Sequence, residues 1–146
     1  MKKKNKLRKI QVIPLNKIIN SNGDVLKILA KNDSGYKGFG EAYFSNVKWS
    51  SIKAWKLHTK MTMNLIVPVG NVKFVFIEKN QNGTLEYLVE EIGEKNYSRI
   101  VVPPGIWFGF IGTAKSQNLV LNIANIKHNP KEIQRLPVDA FDFNWT

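Results

Sequence analysis

The chain has 146 residues, 43% of them hydrophobic, and a formal net charge of +11, a size and apolar content that suit one globular domain with one sizeable core. It contains no cysteine, which excludes disulfides and thiolate-bound metal. No apolar run is long enough to cross a bilayer, and the basic opening "MKKKNKLRKIQVIPL" lacks the long apolar stretch and cleavage site of a secretory signal, so a cytoplasmic protein with no membrane partner is expected.

The first nine residues stand apart. Lys2, Lys3, Lys4, Lys6, Arg8 and Lys9 carry much of the positive excess and read as a disordered, solvated arm, with residues 10–146 forming the single domain. The only arginines are Arg8, Arg99 and Arg135. The planar fork that suits bidentate contacts to phosphate or guanine is therefore scarce, and a nucleic-acid partner is disfavoured.

Beyond Ile10 the punctuation is that of an all-β protein. Short runs rich in Val, Ile, Phe, Tyr and Trp recur between Gly, Asn and Pro: "DVLKILA", "GEAYFSNV", "SIKAWKL", "NLIVPV", "NVKFVFIE", "LEYLVEEI", "SRIVVP", "IWFGFIG" and "NLVLNIA". None has a long 3.6-residue apolar period, and their spacing suits a sandwich or barrel. Asn82-Gly83 predicts a hairpin with a type I′ turn, since both residues tolerate positive φ. Pro103 and Pro104 cannot donate to a ladder, so Pro103-Pro104-Gly105 ends one strand and turns into the next.

The candidate chemistry centres on "KLHTKMTMN". On a continuous strand residues 58, 60 and 64 point to one side, which would set His58, Lys60 and Asn64 on one wall of a barrel cavity. Trp55, Trp107 and Phe108 offer rings for a sugar or base, although aromatic residues in barrel strands are more often core. Two short frames match those of cupin barrels. His58-x-Lys60, Asn64 and Gly70 stand where cupins read H-x-H, a carboxylate and a glycine, and Pro103-x-Gly105-x-x-Phe108 stands where they read P-x-G-x-x-H. An ammonium repels a divalent cation and a phenyl ring cannot ligate one, so a metal-free site is expected.

The longer context, "GFGEAYFSNV", "KAWKLHTKMTMN", "VPVGNVKFVFIEKN", "VVPPGIWFGFIG", "NIANIKHNPKEIQRLP" and "DFNW", resembles the metal-free cupins related to dTDP-4-dehydrorhamnose 3,5-epimerase, and particularly their short, divergent members. The resemblance runs from about Val12 to Trp145. It implies a cupin jelly-roll β-barrel, a homodimer made by strand exchange, no cofactor, and a nucleotide-linked sugar or small carbohydrate bound in the barrel mouth. The implied reaction is isomerisation or epimerisation of a 4-keto-6-deoxyhexose, with His58 abstracting a proton α to the ketone.

The likeness is uneven at the site. Trp55 replaces an arginine of the family's R-G-L-H, Met63 the lysine that steadies the enolate, and Asn22 a phosphate-binding arginine. Asn122 falls at the family's acidic tyrosine and His128 at a second site tyrosine. The aspartate that orients the family's histidine lies beyond the W-P end of the barrel, so His58 is expected to lack that partner. Lys60 and His128 are the expected catalytic assistants, with Trp55, Asn64, Phe108 and Asn122 contacting substrate. A sugar-binding cupin without turnover is the alternative, because losing one enolate-stabilising donor costs about 3–4 kcal/mol.

Overall fold

The computed structural model describes residues 5–146. Twelve strands run along the chain: β1 (Gln11–Pro14), β2 (Lys17–Ile18), β3 (Val25–Leu26), β4 (Glu41–Asn46), β5 (Ile52–His58), β6 (Met63–Val69), β7 (Asn71–Lys79), β8 (Leu85–Gly93), β9 (Ser98–Val102), β10 (Trp107–Gly112), β11 (Leu119–Ala124) and β12 (Ile133–Arg135). The described residues contain three short 3-10 turns and no α-helix, hence no helix long and apolar enough to cross a membrane.

Ten strands form two antiparallel sheets, ordered β1-β9-β6-β11-β4 and β12-β5-β10-β7-β8, while β2 and β3 form a small flap of their own. From β4 onward consecutive strands change sheet except at the β7–β8 hairpin, as where Gly70 alone separates β6 from β7. The result is a jelly-roll barrel. Alternation supplies its core: Met63, Leu65 and Val67 from β6, Val72, Phe74 and Phe76 from β7, and Ile100 and Val102 from β9 belong to one buried cluster, as period-2 strands with one face inward require.

Two smaller clusters lie outside the barrel. Trp55, Val75, Ile77 and Ile111 are covered by the C-terminal segment through Phe141, Phe143 and Trp145. Ile66, Tyr97 and Leu121 are covered by Leu15, Leu26 and Ile28. The strand "NVKFVFIE" is apolar on both faces for this reason.

Three expectations are refined. Of the basic arm placed at 1–9, residues 1–4 lie outside the described residues; Lys6–Lys9 form a 3-10 turn, capped by Asn5, that buries Leu7 in the barrel core. The β7–β8 hairpin is present, but its turn is not type I′. Asn80 N–H bonds Thr84 C=O at 2.8 Å, Gly83 N–H bonds Asn80 C=O at 3.0 Å, and of Asn82 and Gly83 only Gly83 has positive φ, at 84°. This is a longer loop ending in a left-handed glycine. In "DVLKILA" only Val25 and Leu26 are strand, and the rest crosses the outer face of the first sheet.

Candidate active site

The strand that carries His58 contains a bulge, and the bulge determines what faces the barrel. In the β5–β10 ladder Lys56 opposes Phe108, Ala54 opposes Gly109 and Lys53 opposes Phe110, with a register shift between Phe108 and Gly109. Trp55 is the extra residue. Paired residues share a face, so Lys53 and Lys56, three apart, both lie beside the inward rings of Phe110 and Phe108, while Ala54 and Trp55 turn outward. Gly109 makes this possible, because a Cβ there would fall 2.6 Å from Ala54 Cβ and 2.9 Å from Trp55 Cε3.

At the inner end of β5 the His58 ring is 4% exposed. Its Nδ1 lies 2.6 Å from Glu132 Oε2. The other Glu132 oxygen accepts the N–H groups of Met61 at 2.9 Å and Lys60 at 3.2 Å. Burial raises the Glu132 pKa, but the His58 hydrogen bond and the two backbone donors together outweigh it and hold the carboxyl below its ordinary range. An ionised carboxylate only accepts, so Nδ1 carries the imidazole proton. Burial, seconded by the positive charges of Lys56 and Arg135, pulls the His58 pKa down despite Glu132. The ring is therefore neutral near pH 7, and Nε2, buried without a partner, holds a free lone pair.

Around this dyad the barrel mouth is mixed in character. Phe108 stacks on His58 with centroids 5.9 Å apart and planes 15° from parallel. On the facing sheet Asn122 opposes Tyr43 and donates its Nδ2–H to the Tyr43 hydroxyl at 3.0 Å, with Met61 Sδ 3.8 Å away. Asn122 Oδ1 is buried and unpartnered. A cavity of about 320 Å³ opens alongside, walled by Ser45, Lys53, Ala54, Trp55, Lys56, Phe108, Phe110 and Arg135. His58 sits one ring behind that wall, beneath Phe108. Arg135 is the cross-strand partner of Lys56. Burial first, then the Arg135 charge, keeps the Lys56 ammonium below the ordinary lysine range, so three cations meet there without an anion among the lining residues.

The residues marked out in the sequence are only partly brought together. His58, Phe108 and Asn122 face the barrel. Trp55 borders the cavity at the bulge, but its ring does not point into the barrel: it is 2% exposed, its indole N–H bonding Val138 C=O at 2.9 Å and its ring packed on Phe141 and Trp145. Asn64 does not share a wall with His58 either. β5 ends at His58, the chain bends, and the β6 positions facing the core are Met63, Leu65 and Val67; Asn64 projects from the other face, bonding Arg99 and the Gly35 carbonyl. Lys60 is exposed in the bend and reaches the dyad only through its backbone N–H. His128 is exposed, with its backbone N–H on Glu41. The expectation that His58 would lack a carboxylate is corrected by Glu132. Tyr43, Glu132, Lys53, Lys56 and Arg135 were missed, and only the Glu in "HNPKEIQR", opposite the histidine strand's partner, offered a signal. Among the described residues no three His, Cys, Asp or Glu side chains are grouped as a metal site.

The jelly-roll that holds this dyad is shared with known proteins. The crystal structure of a dTDP-sugar isomerase from Desulfovibrio desulfuricans G20 superposes with a TM-score of 0.87 at 33% identity, over 93% of this chain and 90% of that one. The chain belongs to the dTDP-4-dehydrorhamnose 3,5-epimerase-like cupin family. At 17% identity, a mutant of the 3,4-ketoisomerase QdtA from Thermoanaerobacterium thermosaccharolyticum, in complex with TDP-4-keto-6-deoxyglucose, shares the family fold with a TM-score of 0.73 over 87% of each chain. By sequence, the cupin is 22% identical over 142 residues to the spore coat polysaccharide biosynthesis protein SpsL of Bacillus subtilis, covering 93% of this chain and 94% of SpsL. No family model matches the chain.

Proposed function

We propose that this cupin is an isomerase or epimerase of a nucleotide-linked 4-keto-6-deoxyhexose, with His58 as the base. One observation carries the reading: His58 Nε2 is a buried, unpartnered acceptor on a neutral ring whose opposite nitrogen is held by Glu132. A buried polar atom without a partner calls for an explanation, and a proton-accepting nitrogen is one. Epimerisation at a carbon next to the ketone and movement of the ketone along the ring both begin by removing an α proton. Nε2 takes that proton, and the imidazolium so formed is stabilised by Glu132.

The remaining groups fit the same chemistry. Asn122 spends one Nδ2 hydrogen on Tyr43, which leaves the phenol O–H free to return a proton to the enolate from the facing sheet. Lys53, Lys56 and Arg135 present positive charge at the rim, where a diphosphate would lie. Phe108 covers the imidazole and must turn aside for a sugar ring to reach Nε2. The relatives support the substrate class: one is a dTDP-sugar isomerase and another a ketoisomerase complexed with TDP-4-keto-6-deoxyglucose.

The test is solvent deuterium exchange into TDP-4-keto-6-deoxyglucose, followed by mass and NMR. Exchange at a carbon α to the ketone, lost in His58→Asn, is expected. Binding without exchange in the wild-type protein would end the enzymatic reading and leave a sugar-binding cupin.

A further inference from the structure

A second cavity, about 530 Å³, lies on the opposite side of β9 from the barrel. Leu15, Leu26 and Ile28 supply its apolar walls, and Lys27, Ser34 and Arg99 most of its polar ones. Its size and mixed lining are those of a small-molecule pocket. It is separate from the barrel mouth: Arg99 projects outward from β9, whereas Ile100 and Val102 are barrel core.

Arg99 is the anomaly there. Its side chain is 1% exposed. A guanidinium has five N–H donors, yet among the described residues its hydrogen bond is a single one, from Nη1 to Asn64 Oδ1, and Nε is buried with no partner. Asp33, also in the cavity wall, favours the charged form but makes no ion pair with it; its Oδ2 accepts the Ala30 N–H at 2.7 Å. Lys27 adds a further positive charge. A buried cation served by one neutral amide is not compensated, because desolvation is offset only by a paired charge with hydrogen bonds.

The geometry points to an oxyanion site: the cavity takes the carboxylate or phosphate group of a small organic molecule, held by Arg99 with Lys27 beside it. Carboxylate and phosphate share the oxygens that a guanidinium fork engages, and the apolar walls take the remainder of the ligand. This site stands independently of the reading given to His58.

Thermal unfolding of the full chain tests it, with inorganic phosphate and butyrate as probes, each against chloride at matched ionic strength. A ligand of the native state raises Tm saturably. A rise of several degrees is expected with at least one probe, in the wild-type protein and in Lys56→Ser, which alters the barrel mouth, and no rise in Arg99→Met. Phosphate alone acting assigns a phosphate ligand, and butyrate alone a carboxylate. The proposal is overturned if neither probe exceeds chloride, if Arg99→Met responds like the wild type, or if the response disappears in Lys56→Ser instead. Should Arg99→Met fail to fold, Ser34→Glu places an internal carboxylate in the same wall. It is expected to abolish the response, and an undiminished response there overturns the proposal equally.

Discussion

The two faces of β5 differ more than their shared sequence, "IKAWKLH", suggests. The inner face carries Lys53 and Lys56 beside a cavity and His58 behind its wall, with Nε2 of the imidazole unpartnered. The outer face carries Trp55 among Phe141 and Trp145, with its indole N–H satisfied. One unpaired residue in the ladder with β10 separates them. Without it Lys53 would leave the mouth, since a one-residue shift exchanges the faces of a strand. A bulge is thus as much a part of the site as the side chains it aims.

Substitutions can break or sharpen this contrast. The largest effect is expected at the inner face: His58→Asn should lower α-proton exchange per folded molecule by about 10²–10⁴-fold, the usual contribution of a positioned base. At the outer face Trp55→Ala should cost about 3–5 kcal/mol of stability, read by denaturant unfolding, while substrate affinity per folded molecule stays the same. A raised Kd with unchanged stability would instead return Trp55 to the binding site. Glu132→Gln should slow exchange by about 10²-fold, within the range ascribed to acid–base groups. It should also move the rising limb of the pH–rate profile further toward acid, because a negative charge that favours the imidazolium is gone.

Acid should weaken the fold through the same pair. The folded state disfavours the His58 proton, which the unfolded chain binds at its ordinary pKa of 6.5; stability is therefore complete above that pH and falls as pH drops from 6.5 toward the folded value. Glu132 continues the loss from 4.5 downward. Each proton contributes at most about 1.4 kcal/mol per pH unit, and urea unfolding at pH 7.5 and 5.5 should show the difference, with His58→Asn flattening the upper part. The smallest effect belongs to Lys60→Ala, expected within about 0.5 kcal/mol of wild type and with unchanged exchange, because only its backbone touches Glu132.

Much of this was legible in the sequence, and what was not has a common cause. The β runs, the hairpin and the Pro-Pro-Gly stop are local signals that placed most of the strands and left sandwich or barrel open; the jelly-roll barrel came from the resemblance to the cupins. The inward placing of His58 and Phe108 was legible because two short frames carry them. That of Asn122 was legible by spacing, but the hydroxyl it holds, Tyr43, comes from a neighbouring strand. Trp55 was carried over from the family's R-G-L-H frame, although alternation from His58 already turns it outward; Asn64 was misplaced because alternation was carried through the bend after β5, which residue type does not announce. Glu132 was missed because it stands 74 positions from His58 in a short segment with little strand character of its own. Pairings across that distance are set by register in three dimensions rather than by any window along the chain.

Glu132 ends a 3-10 turn, Pro130–Glu132, and the strand that follows and anchors it is itself slight. β12 pairs with β5 through three residues at the border of its sheet, and such margins open without the rest of the molecule following. Detachment there would strip the imidazole of its carboxylate while the barrel persisted. Warming should therefore silence this protein some degrees before it melts, and reversibly, with amide exchange in β12 accelerating in step with the loss.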